Sequence, residues 1–166
     1  MKACFSGYIP TEYVFPVDEK VREVRELLHR IDEVLVGCAA AGYSHFYCGM
    51  AGAFELLCAE RLLALKESPE YLHLRLVGVL PVAGYDLPGK WKPLHTWVSR
   101  CVDETVCLEA SVNTYLARNW YMVDNSSALI CWYDGGHAGT GYTLDYAARR
   151  GLRVFNLAGR RGPPSA

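Results

Sequence analysis

The sequence predicts an α/β domain of the Rossmann-like type, with a doubly wound, mostly parallel sheet and helices on both faces. Segments with strand character alternate with segments of helical periodicity along the chain. Several strand segments are unbroken apolar runs, which is typical of parallel strands that are buried on both faces. Right-handed crossovers between such strands produce a doubly wound sheet. The 166 residues suffice for one well-buried domain, predicted at residues 1–157, with a flexible tail at residues 158–166.

The first half of the chain carries three strand patterns and two helical ones. Short apolar runs that end at glycine or proline predict strands at residues 2–6, 43–48 and 72–80. A helix is expected at residues 18–41 because apolar residues recur there at spacings of three and four, and Gly42 ends the pattern. A second helix, at residues 53–66, combines leucines with small alanines.

The second half repeats the alternation in shorter elements. The loop at residues 82–93 is rich in proline and glycine, which break both periodicities. Helices are predicted at residues 94–101, 115–124 and 142–150, the last of them ended by Gly151. Strands are predicted at residues 105–108, 128–133 and 153–157.

Composition and charge exclude several classes of protein. An apolar content of 51% with a net charge of −1 is incompatible with a disordered chain. No apolar run approaches the roughly 20 residues that a membrane span needs, and the N-terminal residues have no signal-peptide core, so a cytoplasmic protein without membrane contact is expected. The balance of 17 basic and 18 acidic residues argues against electrostatic wrapping of nucleic acid, which is therefore not an expected partner.

The seven cysteines are expected to be free thiols that pack as small apolar side chains. Their number is odd, most of them lie in apolar segments, and no Cys-x-x-Cys pair occurs. No Cys and His cluster has the spacing of a zinc site, so neither a metal nor a cofactor is predicted.

Two glycine-rich turns are expected at the carboxyl edge of the sheet, where ligands of doubly wound folds bind. One is Gly49-Met50-Ala51-Gly52, and the other runs from Asp134 to Thr140 with three glycines. Each connects a strand to a helix, so backbone N–H groups at the positive end of the helix are available to phosphate. A tight connection without a ligand is the alternative for either turn alone. Neither turn matches the P-loop or the Gly-x-Gly-x-x-Gly pattern.

These segments resemble the YpsA-like branch of the SLOG superfamily, which also contains the LOG-type phosphoribohydrolases and the DNA-processing protein DprA. The resemblance runs from about residue 2 to residue 157. Its most specific parts are Gly49-Met50-Ala51 with Glu60 downstream, Arg118-Asn119 before Met122-Val123-Asp124, and Asp134-Gly135-Gly136 with Gly139-Thr140.

The resemblance implies a pocket for nucleotides or nucleotide-derived ligands, including signals of the ADP-ribose type. By the same resemblance, phosphate is held by Gly135, Gly136, Gly139 and Thr140. Gly7 and Tyr8 line that pocket, and Gly49 and Met50 form its floor.

The chain departs from the hydrolases of this superfamily at the catalytic carboxylate. LOG-type enzymes resemble one another in a PGGxGTxxE pattern whose glutamate serves N-glycoside hydrolysis. Here the turn is one residue longer, and Thr143 stands at the position of the glutamate. The aliphatic hydroxyl of Thr143 cannot act as general acid or replace a carboxylate that stabilises an oxocarbenium ion. Hydrolysis would therefore need Glu55, Asp134 or Asp145.

Four further side chains are candidate ligand contacts, each with a structural alternative. Arg118 is either a clamp for phosphate or carboxylate or a surface ion pair, with Asn119 beside it. Glu55 lies in the first turn of its helix, near the ligand, or is a surface carboxylate at the helix dipole. Asp134 either accepts from a ribose hydroxyl or closes an Asx turn. His137 either donates to an anion or is an exposed loop residue.

The sequence therefore supports three functions from different classes. The first is a binding module that senses or sequesters a small nucleotide-derived ligand. The second is a nucleotide or N-glycoside hydrolase that uses Glu55 or Asp134. The third is a DNA-associated protein by analogy with DprA. A homodimer is also considered, because helix positions such as Val24 and Leu28 are not all required for the core.

Overall fold

A six-stranded parallel sheet forms the centre of the molecule, as the sequence predicts. The computed structural model describes residues 1–9 and 21–158. Strands are β1 (Lys2–Gly7), β2 (His45–Cys48), β3 (Arg75–Leu80), β4 (Glu104–Cys107), β5 (Ala128–Trp132) and β6 (Arg153–Asn156). Helices within the described ranges are α1 (Arg22–Ala40), α2 (Ala53–Leu65), α3 (Lys92–Cys101), α4 (Thr114–Asp124) and α5 (Ala138–Arg149).

The strand order is β4-β3-β2-β1-β5-β6, with every neighbouring pair parallel. The chain therefore builds outward from β1 to β4 and then returns to the other side of β1. The registers pair Ala3 with Phe46 on one side and with Ala128 on the other. This reversal places a topological switch point at the carboxyl ends of β1 and β5, which is where such folds bind ligands.

Side chains of the central strands alternate between two apolar clusters, one on each face of the sheet. Phe5 and Phe46 belong to the larger cluster with α1, α2 and α3, whereas Cys4 and Tyr47 belong to the smaller cluster with α4 and α5. Both faces are thus covered, which explains why the strand segments read as continuous apolar runs. Val24 and Leu28, considered above as a spare apolar face, are only 1% and 7% exposed and lie in the larger cluster.

The boundary of α5 differs most from the sequence prediction. The helix begins at Ala138 instead of residue 142, so Gly139, Thr140 and Gly141 form its first turn. His137 caps it, because its ring nitrogen Nδ1 accepts the N–H of Thr140 at 3.1 Å. Gly139 and Gly141 by themselves predict a loop, because glycine has a low helix propensity, and the cap made by His137 helps to offset that cost.

Two other boundaries also move. β3 begins at Arg75 instead of residue 72, because residues 72–74 continue the turn that follows the 3₁₀ helix Pro69–Tyr71, and the N–H of Leu74 donates to the Tyr71 carbonyl at 3.0 Å. α3 begins at Lys92 and accommodates Pro93 in its first turn, where a missing N–H costs nothing. The predicted helix start at residue 18 and most of the predicted tail, residues 159–166, lie outside the described residues.

All seven cysteines are free, as expected. Five are buried: Cys4, Cys38, Cys48, Cys58 and Cys131. Cys101 is partly exposed and Cys107 is exposed. Among the helices of residues 1–9 and 21–158, none is long and apolar enough to cross a membrane.

Candidate functional site

The turn after β5 is built by a short-range hydrogen bond and one left-handed residue. Asp134 Oδ1 accepts the N–H of Gly136 at 2.9 Å, which is the Asx turn considered from the sequence. Gly135 has φ +94°, a conformation that favours glycine. The turn leads the chain directly into the first turn of α5. The ribose contact of Asp134 stays a prediction.

The N-terminus of α5 carries a stacked aromatic pair. The rings of Tyr8 and His137 lie 4.5 Å apart at an angle of 10°. Tyr8 directly follows β1 and is 52% exposed, so part of its ring is accessible at the switch point. Helix geometry leaves the amides of Ala138 and Gly139 without partners inside α5. Thr140 is 4% exposed, and both its N–H and its hydroxyl contact His137.

The turn after β2 is the second glycine-rich connection, and its first two residues are held tightly. A Cβ on Gly49 would lie 2.8 Å from the Arg118 guanidinium carbon and 2.9 Å from Glu55 Oε2, so only glycine fits. Met50 has φ +59°, which is rare for a residue with a side chain, and is 1% exposed. Its side chain is therefore buried beneath the turn. The floor position that the resemblance implies for Met50 stays a prediction.

Gly7 allows β1 and α2 to approach each other at this edge. A Cβ on Gly7 would lie 2.6 Å from the ring of Phe54, in the first turn of α2. The turns after β1 and β2 are therefore neighbours. α2 is capped by Gly52, which has no side chain to occupy the amides of the first turn.

Arg118 and Glu55 form a buried pair at the centre of this edge. They are each 4% exposed, and Arg118 Nη2 lies 3.9 Å from Glu55 Oε1. Arg118 Nη1 donates to the Gly49 carbonyl at 2.9 Å, and Nη2 donates to Asn119 Oδ1 at 2.7 Å. Glu55 Oε2 also accepts the N–H of Ala51 at 3.2 Å. The surface positions considered for both charged side chains are therefore wrong, and Arg118 lies in the second turn of α4.

Burial raises the pKa of Glu55 above its usual value, while Arg118 and the Ala51 amide act in the opposite direction. A buried carboxylate of this kind depends on its partner, since an unpaired charge in the interior is costly. Arg118 and Glu55 therefore hold each other in place at the carboxyl edge of the sheet.

A relay of hydrogen bonds joins this pair to the turn after β5. Asn119 Nδ2 donates to Thr143 Oγ1 at 3.0 Å, and the Thr143 hydroxyl donates to the Gly139 carbonyl at 3.0 Å. Thr143 thus links α4 to the first turn of α5. From the sequence, Thr143 stands out only because it occupies the position of the hydrolase glutamate. Its position four residues after Gly139 on one helix face is the signal that could have revealed this link.

The structure brings most of the predicted site residues to one edge of the sheet. Around the switch point and the adjoining end of β2 lie Gly7, Tyr8, Gly49, Met50, Glu55, Arg118, Asn119, Asp134, Gly135, Gly136, Gly139 and Thr140. A cavity of about 410 Å³ between α1 and β6 is lined by other residues. Of the three carboxylates considered for hydrolysis, Glu55 is paired with Arg118, Asp134 closes its own turn, and Asp145 is exposed on α5.

Comparison with solved structures identifies proteins of the same architecture. DNA processing protein A from Helicobacter pylori, described for its mode of single-stranded DNA binding, superposes with a TM-score of 0.62 at 16% identity, over 98% of this chain and 67% of that one. DprA from Streptococcus pneumoniae superposes with a TM-score of 0.58 at 12% identity, over 93% of this chain and 49% of that one. The likeness is one of fold.

The comparisons support the coarse part of the resemblance stated above. The two DprA proteins and this chain share a Rossmann-like α/β architecture. Membership of the SLOG superfamily stays a prediction. The chain spans about two thirds of the first protein and half of the second. No protein-family model matches the sequence, and no curated protein matches it either. The YpsA-like branch stays a prediction.

The expectation that nucleic acid is not a partner is wrong. It rested on net charge, whereas the Helicobacter pylori protein of this fold binds single-stranded DNA. Net charge describes the whole surface, and a strand can be bound by a local groove with aromatic side chains.

Proposed function

We propose that the protein binds a nucleotide or an ADP-ribose-type ligand at the carboxyl ends of β1 and β5, as a sensor or sequestering module. The observation that carries the proposal is the Tyr8–His137 stack at the N-terminus of α5. It combines an exposed ring face with helix amides, and a nucleotide has both a flat base and an anionic phosphate.

Each part of the ligand has a candidate contact. The amides of Ala138 and Gly139 would bind phosphate, aided by the positive end of the α5 dipole. The open face of Tyr8 would stack on the base. Binding without turnover is favoured because Thr143, at the position of the hydrolase glutamate, uses its hydroxyl to bond Gly139 and Asn119.

Thermal unfolding against a panel of ligands tests this proposal. The panel contains ADP-ribose, NAD, AMP, ATP and the other nucleoside monophosphates. After each measurement, mass spectrometry of the recovered compound shows whether it has been broken down. A ligand at 100 times its dissociation constant adds about 2.7 kcal/mol of stability, or roughly 5–10 °C for a chain of this size. An intact ligand with a shift supports a binding module. A consumed ligand supports the hydrolase instead, and no shift with any compound refutes nucleotide binding.

Two variants locate the bound ligand. Gly136→Asp introduces a carboxylate beside Asp134, whose Oδ1 would lie 3.0 Å from the new Cβ, so phosphate binding should be lost. Gly37→Asp adds the same group at a position in α1 with nothing within 4 Å of a new Cβ. It should keep the full shift. Loss of the shift in both variants, or in neither, contradicts a ligand at α5.

Single-stranded DNA is the second candidate, and the comparisons with solved structures favour it. A protein with this fold binds such DNA, and the exposed ring of Tyr8 suits base stacking as well as it suits a free nucleotide. Fluorescence anisotropy with a labelled oligothymidylate at several salt concentrations tests it. Affinity should fall as salt rises, because phosphate contacts release counterions. Absent or salt-insensitive binding contradicts this candidate.

A further inference from the structure

A second aromatic pair lies beside the buried Arg118, with one ring in the loop after β3 and the other in α4. The rings of Tyr85 and Tyr115 lie 6.3 Å apart and meet edge to face at 81°. Tyr115 lies in the first turn of α4, three residues before Arg118. The guanidinium carbon of Arg118 lies 5.6 Å from the centre of the Tyr115 ring. Tyr115 is 53% exposed, so the pair has an open side.

Tyr85 is the more enclosed member of this pair. It lies in the loop after β3 and also contacts the ring of His95 at 5.8 Å. Burial and the neighbouring Tyr115 raise the pKa of Tyr85 to about 12, so its hydroxyl stays neutral. A cavity of about 140 Å³ adjoins it, lined also by Met50 and by residues of β3, α3 and β4.

A continuous series of contacts joins the Tyr85–Tyr115 pair to the Tyr8–His137 pair. From Tyr115 the series passes to Arg118 and on to Asn119. It continues through Thr143 to the first turn of α5, where His137 stacks on Tyr8. β3 and β5 are separated by β2 and β1, so the ends of these two strands, which precede Tyr85 and His137, lie about 14 Å apart at the usual spacing between strands.

We infer that Tyr85 and Tyr115 form a second ring-binding subsite, and that the ligand has two ring systems joined through phosphate. The inference rests on the proposed nucleotide function and narrows its ligand class. A nucleoside monophosphate has one base and can occupy one pair only, whereas a dinucleotide or a step of single-stranded DNA presents two linked bases. The N-terminus of α2 follows β2, which lies between β3 and β5, and the N-terminus of α5 lies at the Tyr8–His137 pair itself. The linking phosphate would pass these two helix ends.

Binding of NAD and AMP to the full chain by isothermal titration calorimetry tests the inference. NAD has two rings linked by diphosphate, and AMP is one half of it. NAD should bind at least about tenfold more tightly than AMP, since stacking of one base on an aromatic side chain is worth roughly that factor or more. A short oligothymidylate in the same titration distinguishes a DNA strand from a free dinucleotide as the source of the linked rings.

Three variants assign the effect to the tyrosine pair. Tyr115→Ala should weaken NAD, or the oligothymidylate, by about tenfold and leave AMP unchanged. Tyr115→Phe keeps the ring and should restore the affinity. Trp97→Ala removes a comparably exposed aromatic ring on α3, 46% exposed, and should change neither ligand.

The outcomes separate this inference from the function on which it rests. If AMP binds as tightly as the two-ring ligands, or if Tyr115→Ala weakens all of them equally, the second subsite is refuted while nucleotide binding stands. If the unchanged protein binds none of the compounds, both are refuted.

Discussion

Replacement of Arg118 by methionine tests whether the buried pair supports the candidate site. Arg118→Met keeps the length of the side chain but removes its charge and its hydrogen bonds to the Gly49 carbonyl and to Asn119. Glu55, 4% exposed, would then be a buried carboxylate without its counter-charge. Loss of one partner of a buried pair typically costs about 3–5 kcal/mol, and we expect a decrease in unfolding free energy of that size at neutral pH.

The cost should depend on pH through Glu55. Burial raises the pKa of Glu55 above 4.5 in the folded protein, and Arg118 limits that rise. Because the folded protein then holds this proton more tightly than the unfolded chain, stability is lost as the pH rises through the folded pKa. Without Arg118 the folded pKa of Glu55 rises further, so the loss extends to higher pH. The variant should therefore differ less from the unchanged protein at about pH 5 than at about pH 8.

Urea unfolding followed by circular dichroism at the two pH values measures this effect. The double variant Glu55→Gln with Arg118→Met removes both charges and should recover part of the lost stability. A cost below about 1 kcal/mol at pH 8 would place Arg118 among ordinary surface substitutions. A cost that is equal at both pH values would show that Glu55 does not depend on Arg118, and either result refutes the argument.

Two further predictions concern packing and thiol reactivity. Gly49→Ala should destabilise the protein by about 1–3 kcal/mol, since the new Cβ would lie 2.8 Å from the Arg118 guanidinium carbon. Gly37→Ala, inside α1 with nothing within 4 Å of the new Cβ, should stabilise the protein by about 0.5–1 kcal/mol. Urea unfolding measures both variants, and the opposite order of stability contradicts the packing argument. Cys107 is exposed, and should react with Ellman's reagent in the native protein and account for its fastest phase. Burial raises the pKa of Cys4 to about 12, so this thiol should react only after unfolding; a fast phase that persists in Cys107→Ser would disprove the assignment.

The alternation of elements was accessible from the sequence because it rests on local patterns. Apolar spacings of three and four placed α1, and Gly42 marked its end correctly. The start of α5 was misplaced because its cap is a histidine, which is not among the usual capping residues. Its ring accepts the Thr140 amide while stacking on Tyr8, a contact between residues far apart in the chain.

The candidate site also combines features that local sequence patterns predict with features that depend on contacts between distant residues. The glycine-rich turns could be located because glycine is required where the backbone turns sharply or a neighbour approaches closely. The burial of Glu55 and Arg118 could not, because charged residues in a first or second helical turn are usually exposed. Only the packing of α4 against the turn after β2 removes them from solvent.

The sequence by itself determined the parallel α/β class, the edge of the sheet that carries the glycine-rich turns, and the state of the cysteines as free thiols. These properties follow from periodicity, backbone preference and composition, which are local or additive along the chain. The tertiary structure alone decided that Arg118 pairs with Glu55, that Asn119 and Thr143 link two helices, and that Tyr85 and Tyr115 pair beside Arg118. Such contacts join distant segments, and their geometry is set by how the helices pack on the sheet.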